Sequence, residues 1–161
     1  MDNRTRRVQH ELRSVAKQSY FISYDETTTT FVCLLKPYDN GDDDADSNTN
    51  PYTGLSWHVS IHLPEDYPFK SPSVGFLNRV FHPNIDYASG TVCLNALNTD
   101  WTPLYNVTTI IEQLLPQLLA YPNPDDPLNE EAATLLLQQT PARYNARVQE
   151  MHVPPDAQHT T

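Results

Sequence analysis

Three groups in this 161-residue sequence have the residue types that covalent chemistry needs: Cys93, the His82-Pro83-Asn84 turn before it, and Asp125-Asp126 after it. A cysteine thiolate is a nucleophile that can take an acyl group, and a nearby histidine is the usual base that would activate it. Paired carboxylates can act as a general base. Each group also has a plain structural reading. A cysteine between Val92 and Leu94 fits a small core residue. His-Pro-Asn is equally a turn in which the polar side chains bond to backbone. Acidic residues between prolines ordinarily sit in water. Taken one at a time, these motifs indicate only an α+β domain with one suspicious cysteine. The other cysteine, Cys33, lies in the apolar run FVCLL and reads as core.

The elements that must hold these residues follow from periodicity. Residues 4–18 form an amphipathic helix with Val8, Leu12, Val15 and Ala16 on one stripe. The runs at 20–24 and 31–35 are strands. Residues 57–63 alternate, with Trp57, Val59, Ile61 and Leu63 facing one way, which predicts a half-buried antiparallel strand. Pro64, Pro68 and Pro72 make a stiff turn presenting Tyr67 and Phe69, and 73–77 is a fourth strand. Residues 78–105 show no sustained period, and a long irregular stretch inside a small domain is usually functional. Residues 107–119 return to helical spacing, with Pro116 expected to kink the helix or set its register. Helices follow at 129–139, capped by Asn129, and after Thr140-Pro141. A leading helix, four strands in sequence and trailing helices predict an α+β fold with an antiparallel meander.

Composition sets the class. The chain has the length of one domain, with 39% apolar residues, below the usual share but not in the disordered range. No stretch is long and apolar enough to span a bilayer, and MDNRTRRVQH lacks a signal-peptide core, so a soluble intracellular protein is expected, in cytoplasm or nucleus. The two cysteines have neither disulfide-framework nor zinc-site spacing, and no metal site is expected. A net charge of −10 argues against direct nucleic-acid binding. The charge is uneven: residues 1–20 carry Arg4, Arg6, Arg7, Arg13 and Lys17 against Asp2 and Glu11, whereas 39–46 carry five aspartates and no base. The basic start reads either as a solvated helix face or as a docking surface for an acidic partner.

The motifs gain meaning in combination. Leu63-Pro64-Glu65-Asp66-Tyr67-Pro68-Phe69-Lys70-Ser71-Pro72, Phe81-His82-Pro83-Asn84-Ile85, Gly90-Thr91-Val92-Cys93-Leu94, Trp101-Thr102-Pro103 and Tyr121-Pro122-Asn123-Pro124-Asp125-Asp126-Pro127-Leu128 occur in this order. The set resembles the ubiquitin-conjugating enzyme family from the first helix to about residue 150. That resemblance implies the family fold over 1–152, with 38–54 as an acidic insertion and 153–161 as a short flexible tail. The local wording HPNIDYASGTVCL and LLPQLLAYPNP most resembles the branch that works with the multi-subunit CTLH (GID) ligase and is known for histone ubiquitination.

The resemblance also implies roles. Cys93 would carry ubiquitin as a thioester received from the activating enzyme, which uses the ATP, so that no cofactor is needed here. Asn84 would support the oxyanion of aminolysis or brace the loop that does, with His82 and Pro83 fixing its turn. Asp126 would orient the incoming substrate lysine. Phe69, Pro103 and Leu104 would form the platform for a RING-type ligase, and Arg4, Arg6, Arg7 and Arg13 would meet the activating enzyme. Tyr67 and Trp101 are expected in the core. The sequence departs from the family at Asn95, commonly aspartate, which shifts lysine activation onto Asp126. It departs again in the acidic 38–54 segment and in a loop to Cys93 one residue longer than in many members. The ending PPDAQHTT supplies no acidic tail for basic substrates such as histones. The alternatives are conjugation of another ubiquitin-like modifier, a non-catalytic ubiquitin-binding scaffold, or a cysteine hydrolase. The last would need a histidine within hydrogen-bond reach of Cys93, and none is expected there.

Overall fold

The basic amphipathic stretch folds as α1, Asn3–Ala16. Asp2 caps it, accepting the Thr5 N–H at 2.7 Å. This is a computed structural model, and it describes residues 1–37, 50–93, 97 and 101–155. The acidic part of the expected insertion, 38–49, lies outside the described residues, as do Asn95 and 156–161 of the expected tail.

The buried stripe of α1 is Val8, Glu11 and Val15. Helical spacing predicts Ala16 on that stripe, but Ala16 is exposed and Glu11 is buried. Glu11 sits three residues after Val8 and four before Val15, so helix geometry puts it on the apolar face. Only partners from elsewhere in the chain make a carboxylate tolerable there.

Strands β1 (Phe21–Asp25), β2 (Thr30–Leu35), β3 (Trp57–His62) and β4 (Ser73–Phe76) pair antiparallel in that order. The predicted alternation sets the face: Trp57, Val59 and Ile61 are buried opposite Leu35, Cys33 and Phe31. Val74 and Phe76 complete the layer from β4. At the other edge the β1 register shifts between Phe21 and Ser23.

The helical layer begins with α2, which runs in three pieces: Val107–Thr109, a π-helical turn Ile110–Leu114, and Leu115–Ala120. Asn106 caps it through a reciprocal bond pair with Thr109. The π turn carries the Leu115 N–H to Ile110 O just before Pro116. Pro116 has no N–H, and its ring crowds a carbonyl one turn back; widening the ladder there absorbs both. Helix α3 (Glu130–Leu137) is capped by Asn129 as expected, with the Ala132 N–H donating at 3.1 Å. Helix α4 (Pro141–Met151) has proline in its first turn. Thr140 makes no side-chain cap to α4; its hydroxyl donates to Leu135 O, so it closes the end of α3 instead. The described residues thus form the expected α+β arrangement.

Candidate functional site

Cys93 sits at the end of a short hairpin, 85–92, that is tied on both sides. On one side it adds to the edge of β4: Phe76 N–H donates to Gly90 O at 2.8 Å and Val92 N–H to Val74 O at 3.3 Å. Gly90 permits this approach. Its φ is +76°, and a Cβ there would fall 1.9 Å from Phe76 O. On the other side the Cys93 N–H donates to Asn84 O at 2.9 Å. The thiol-bearing residue is half-buried, whereas Cys33 is fully buried, as expected, and burial pushes its thiol up to about 12.

The turn before the hairpin is held by neutral groups. The His82 Nε2–H donates to Leu118 O in α2 at 2.8 Å, and Nδ1 accepts the Asn84 N–H at 3.0 Å. Both nitrogens are therefore committed to backbone, which fixes the tautomer and leaves His82 no lone pair for Cys93. Burial holds its pKa down at about 4, against the raising effect of the bond to Leu118. Tyr52 packs on this histidine, rings 5.6 Å apart, and its hydroxyl donates to Phe81 O at 2.6 Å.

The segment 121–129 is clamped to the same turn. The Asn84 amide donates to Asn123 O at 2.7 Å and accepts the Asn123 N–H at 2.9 Å. Pro83 O accepts from the N–H groups of Leu128 and Asn129 at 2.8 and 3.1 Å. Between these anchors lie Asp125 and Asp126, both exposed, with Asp126 at a left-handed φ of +57°. The three groups singled out in the sequence are thus joined through His82-Pro83-Asn84. The Asn84 side chain is spent on Asn123, so in this arrangement it braces the loop. Among the described residues, no group of three or more His, Cys, Asp or Glu side chains could hold a metal ion.

A second surface lies along α1. Phe69 is 80% exposed and Leu104 is 89% exposed. Pro103 is exposed as well, and Tyr67 is buried. Trp101, expected in the core, is half-buried and donates from its indole to Pro68 O at 3.0 Å. Of the four arginines, Arg6 and Arg13 are exposed. Arg4 turns inward to Leu63 O and Pro64 O at 3.1–3.3 Å. Arg7 donates to Pro103 O at 2.8 Å, Tyr105 O at 2.6 Å and Glu11 at 3.0 Å.

A family model described as ubiquitin-conjugating enzyme matches residues 8–152. The chain belongs to the ubiquitin-conjugating enzyme family. It is 50% identical over 99 residues to the ubiquitin-conjugating enzyme E2 6 of Arabidopsis thaliana, a match covering 62% of this chain and 54% of that protein. It is 54% identical over 87 residues to the ubiquitin-conjugating enzyme E2-24 kDa of Saccharomyces cerevisiae, covering 54% and 40% respectively. The matches thus span about half the length of these relatives. The fold is that of a crystal structure of a candidate ubiquitin conjugating enzyme from Plasmodium yoelii. That likeness has a TM-score of 0.76 at 23% identity and covers 97% of this chain and 99% of that one.

Two features of this family member escape a reading by motif. One is Glu11, a buried carboxylate with partners in three segments; its position on the apolar stripe, four residues after Arg7, was the available signal. The other is the Asn84–Asn123 clamp, for which the sequence offers only the two asparagines.

Proposed function

We propose that this chain carries ubiquitin as a thioester on Cys93 and passes it to a lysine of a protein substrate with the help of a RING-type ligase. The observation that carries this reading is a half-exposed Cys93 near a histidine whose two nitrogens are both spent on backbone. A hydrolase needs that histidine as a base; exchange of one thioester for another of similar energy does not. The Cys93 thiolate attacks the thioester carbonyl on the activating enzyme. A new S–C bond forms and the old one breaks as that enzyme's thiolate leaves. Later a lysine amine attacks the Cys93 thioester, forming an isopeptide bond and releasing the thiolate. ATP is consumed upstream, and no cofactor enters at Cys93.

Supporting roles go with this reading. Asn84 braces segment 121–129, and Asp126 on that segment orients the lysine and helps it shed its proton. Asn84→Ala is expected to slow lysine discharge about tenfold or more while leaving the thioester intact. Phe69, Pro103 and Leu104 receive the ligase, and the exposed Arg6 and Arg13, rather than the inward Arg4 and Arg7, meet the activating enzyme. The catalytic domain spans 1–152, and a free thiol suits the reducing poise of cytoplasm or nucleus. Relatives named ubiquitin-conjugating enzymes favour ubiquitin as the cargo. Local sequence around Cys93 and in α2 favours the CTLH (GID) ligase as partner.

The test is a thioester assay with activating enzyme, ATP and ubiquitin, run without reductant beside Cys93→Ala. A ubiquitin-sized addition that thiol removes and the variant lacks is expected. Its absence, with ubiquitin confirmed on the activating enzyme, would sink the carrier role. Adding the CTLH ligase to the charged protein then tests the finer assignment.

A further inference from the structure

We infer that Glu11 is a positioning residue: it locks together the two loops that present Phe69 and Leu104, and so sets the shape of the docking face without touching a ligase. This rests on the reading of that face as the ligase platform. Neither Phe69 nor Leu104 is held by its own packing, since both side chains stand in solvent. Their placement therefore depends on what fixes the backbone beneath them.

Three segments meet at Glu11. The Tyr67 hydroxyl, two residues before Phe69, donates to Glu11 Oε1. The Arg7 Nε–H donates to the same oxygen at 3.0 Å. The Val107 N–H, at the start of α2, donates to Oε2 at 3.1 Å. Arg7 then extends the lock with its remaining nitrogens, which reach Pro103 O and Tyr105 O on either side of Leu104. Its guanidinium carbon also lies 5.4 Å from the centre of the Tyr67 ring. One carboxylate thus touches the 64–72 turn and the first turn of α2 directly, and touches the 101–106 loop through one guanidinium. The two loops are also linked directly, by the Trp101 indole to Pro68 O at 3.0 Å and by the Tyr67 and Trp101 rings, 6.1 Å apart. The carboxylate is charge-matched by Arg7, which is what lets it sit 1% exposed inside the helix interface.

Glutamine at position 11 keeps the shape but replaces one acceptor oxygen with a donor. Three donors would then face one acceptor, and Arg7 would lose its counter-charge. Wild type and Glu11→Gln are compared with Val148→Ala, a core truncation in α4 that serves as a control for general loss of stability. Amide hydrogen exchange in Glu11→Gln is expected to rise about tenfold in both 64–70 and 102–107, with no such paired rise in Val148→Ala. With the strongest stimulator found in a panel of purified RING domains, used below saturation, lysine discharge is expected to fall about tenfold in Glu11→Gln alone. Thioester formation and ligase-free discharge should stay within about twofold. Unchanged exchange in either loop, or equal loosening in Val148→Ala, overturns the inference. A wild-type protein that charges Cys93 but answers to no RING domain overturns the docking role. Failure to charge Cys93 at all counts against the carrier reading, and the exchange data still decide whether Glu11 holds the loops.

Discussion

The Cys93 turn and the proposed docking face are both built from loops, and both are pinned by buried polar groups, but the pins differ in charge. Around Cys93 they are neutral: an imidazole, a carboxamide and a proline carbonyl, each paired with backbone. At the docking face the pin is a carboxylate with a guanidinium. Neutral pins hold the segment before Cys93 without burying a charge within it. A charged pin reaches several segments at once, but it depends on every partner staying in place. One clamp should therefore fail by protonation and the other by loss of a partner.

The largest effect expected is at the hairpin. Gly90→Ala combines a left-handed φ with a Cβ overlapping Phe76 O, and about 3–5 kcal/mol of stability should be lost in urea unfolding. A loss under about 1 kcal/mol would show that the hairpin gives way easily and that Cys93 is not held from the β4 edge.

Protonation of His82 comes next. Its folded pKa of about 4 lies below the ordinary 6.5, so below pH 6.5 the unfolded chain binds more protons than the folded one. The neutral clamp contributes fully above pH 6.5 and is lost as pH falls toward 4, roughly 3 kcal/mol in all. Nitrogen NMR of the ring should show one fixed Nε2–H tautomer, uncharged at pH 5.5. A ring that titrates near 6.5 in the folded protein breaks the contrast between the two pins.

Arg7→Met should cost about 2–3 kcal/mol, because it strands the Glu11 carboxylate; the side chain is 24% exposed, so water relieves part of the penalty. Arg147 pairs with Glu131 and Glu150 at the surface, and Arg147→Met should cost clearly less than Arg7→Met. Equal losses in parallel denaturant titrations would mean that the docking-face pair is an ordinary surface ion pair.

The smallest stability change belongs to Asp126→Gly, within about 0.5 kcal/mol, since glycine suits the left-handed backbone there. Discharge of charged Cys93 onto free lysine should nevertheless fall about tenfold. Unchanged discharge would remove Asp126 from the chemistry.

Much of this molecule could be read from spacing. The alternation of Trp57, Val59 and Ile61 named a face of β3, and the cap at Asn129 and the proline at 141 marked two helix starts. Ordered motifs picked out Cys93 and the turn that holds it, and the three prolines at 64–72 announced a turn presenting Tyr67 and Phe69, of which only Phe69 is exposed. These are local properties, set by backbone period, by proline and by capping groups within a few residues. Glu11 is different. Its donors lie 4, 56 and 96 residues away, and without them a carboxylate on the buried stripe of α1 would be untenable. The fixed tautomer of His82 depends in the same way on a carbonyl 36 residues distant, and the bracing of segment 121–129 on a contact 39 residues distant. The sequence by itself determined which segments fold and which cysteine is the candidate nucleophile. Only the tertiary structure decided which polar groups could be buried, because burial of a charge or an amide is settled by partners that chain order does not bring together.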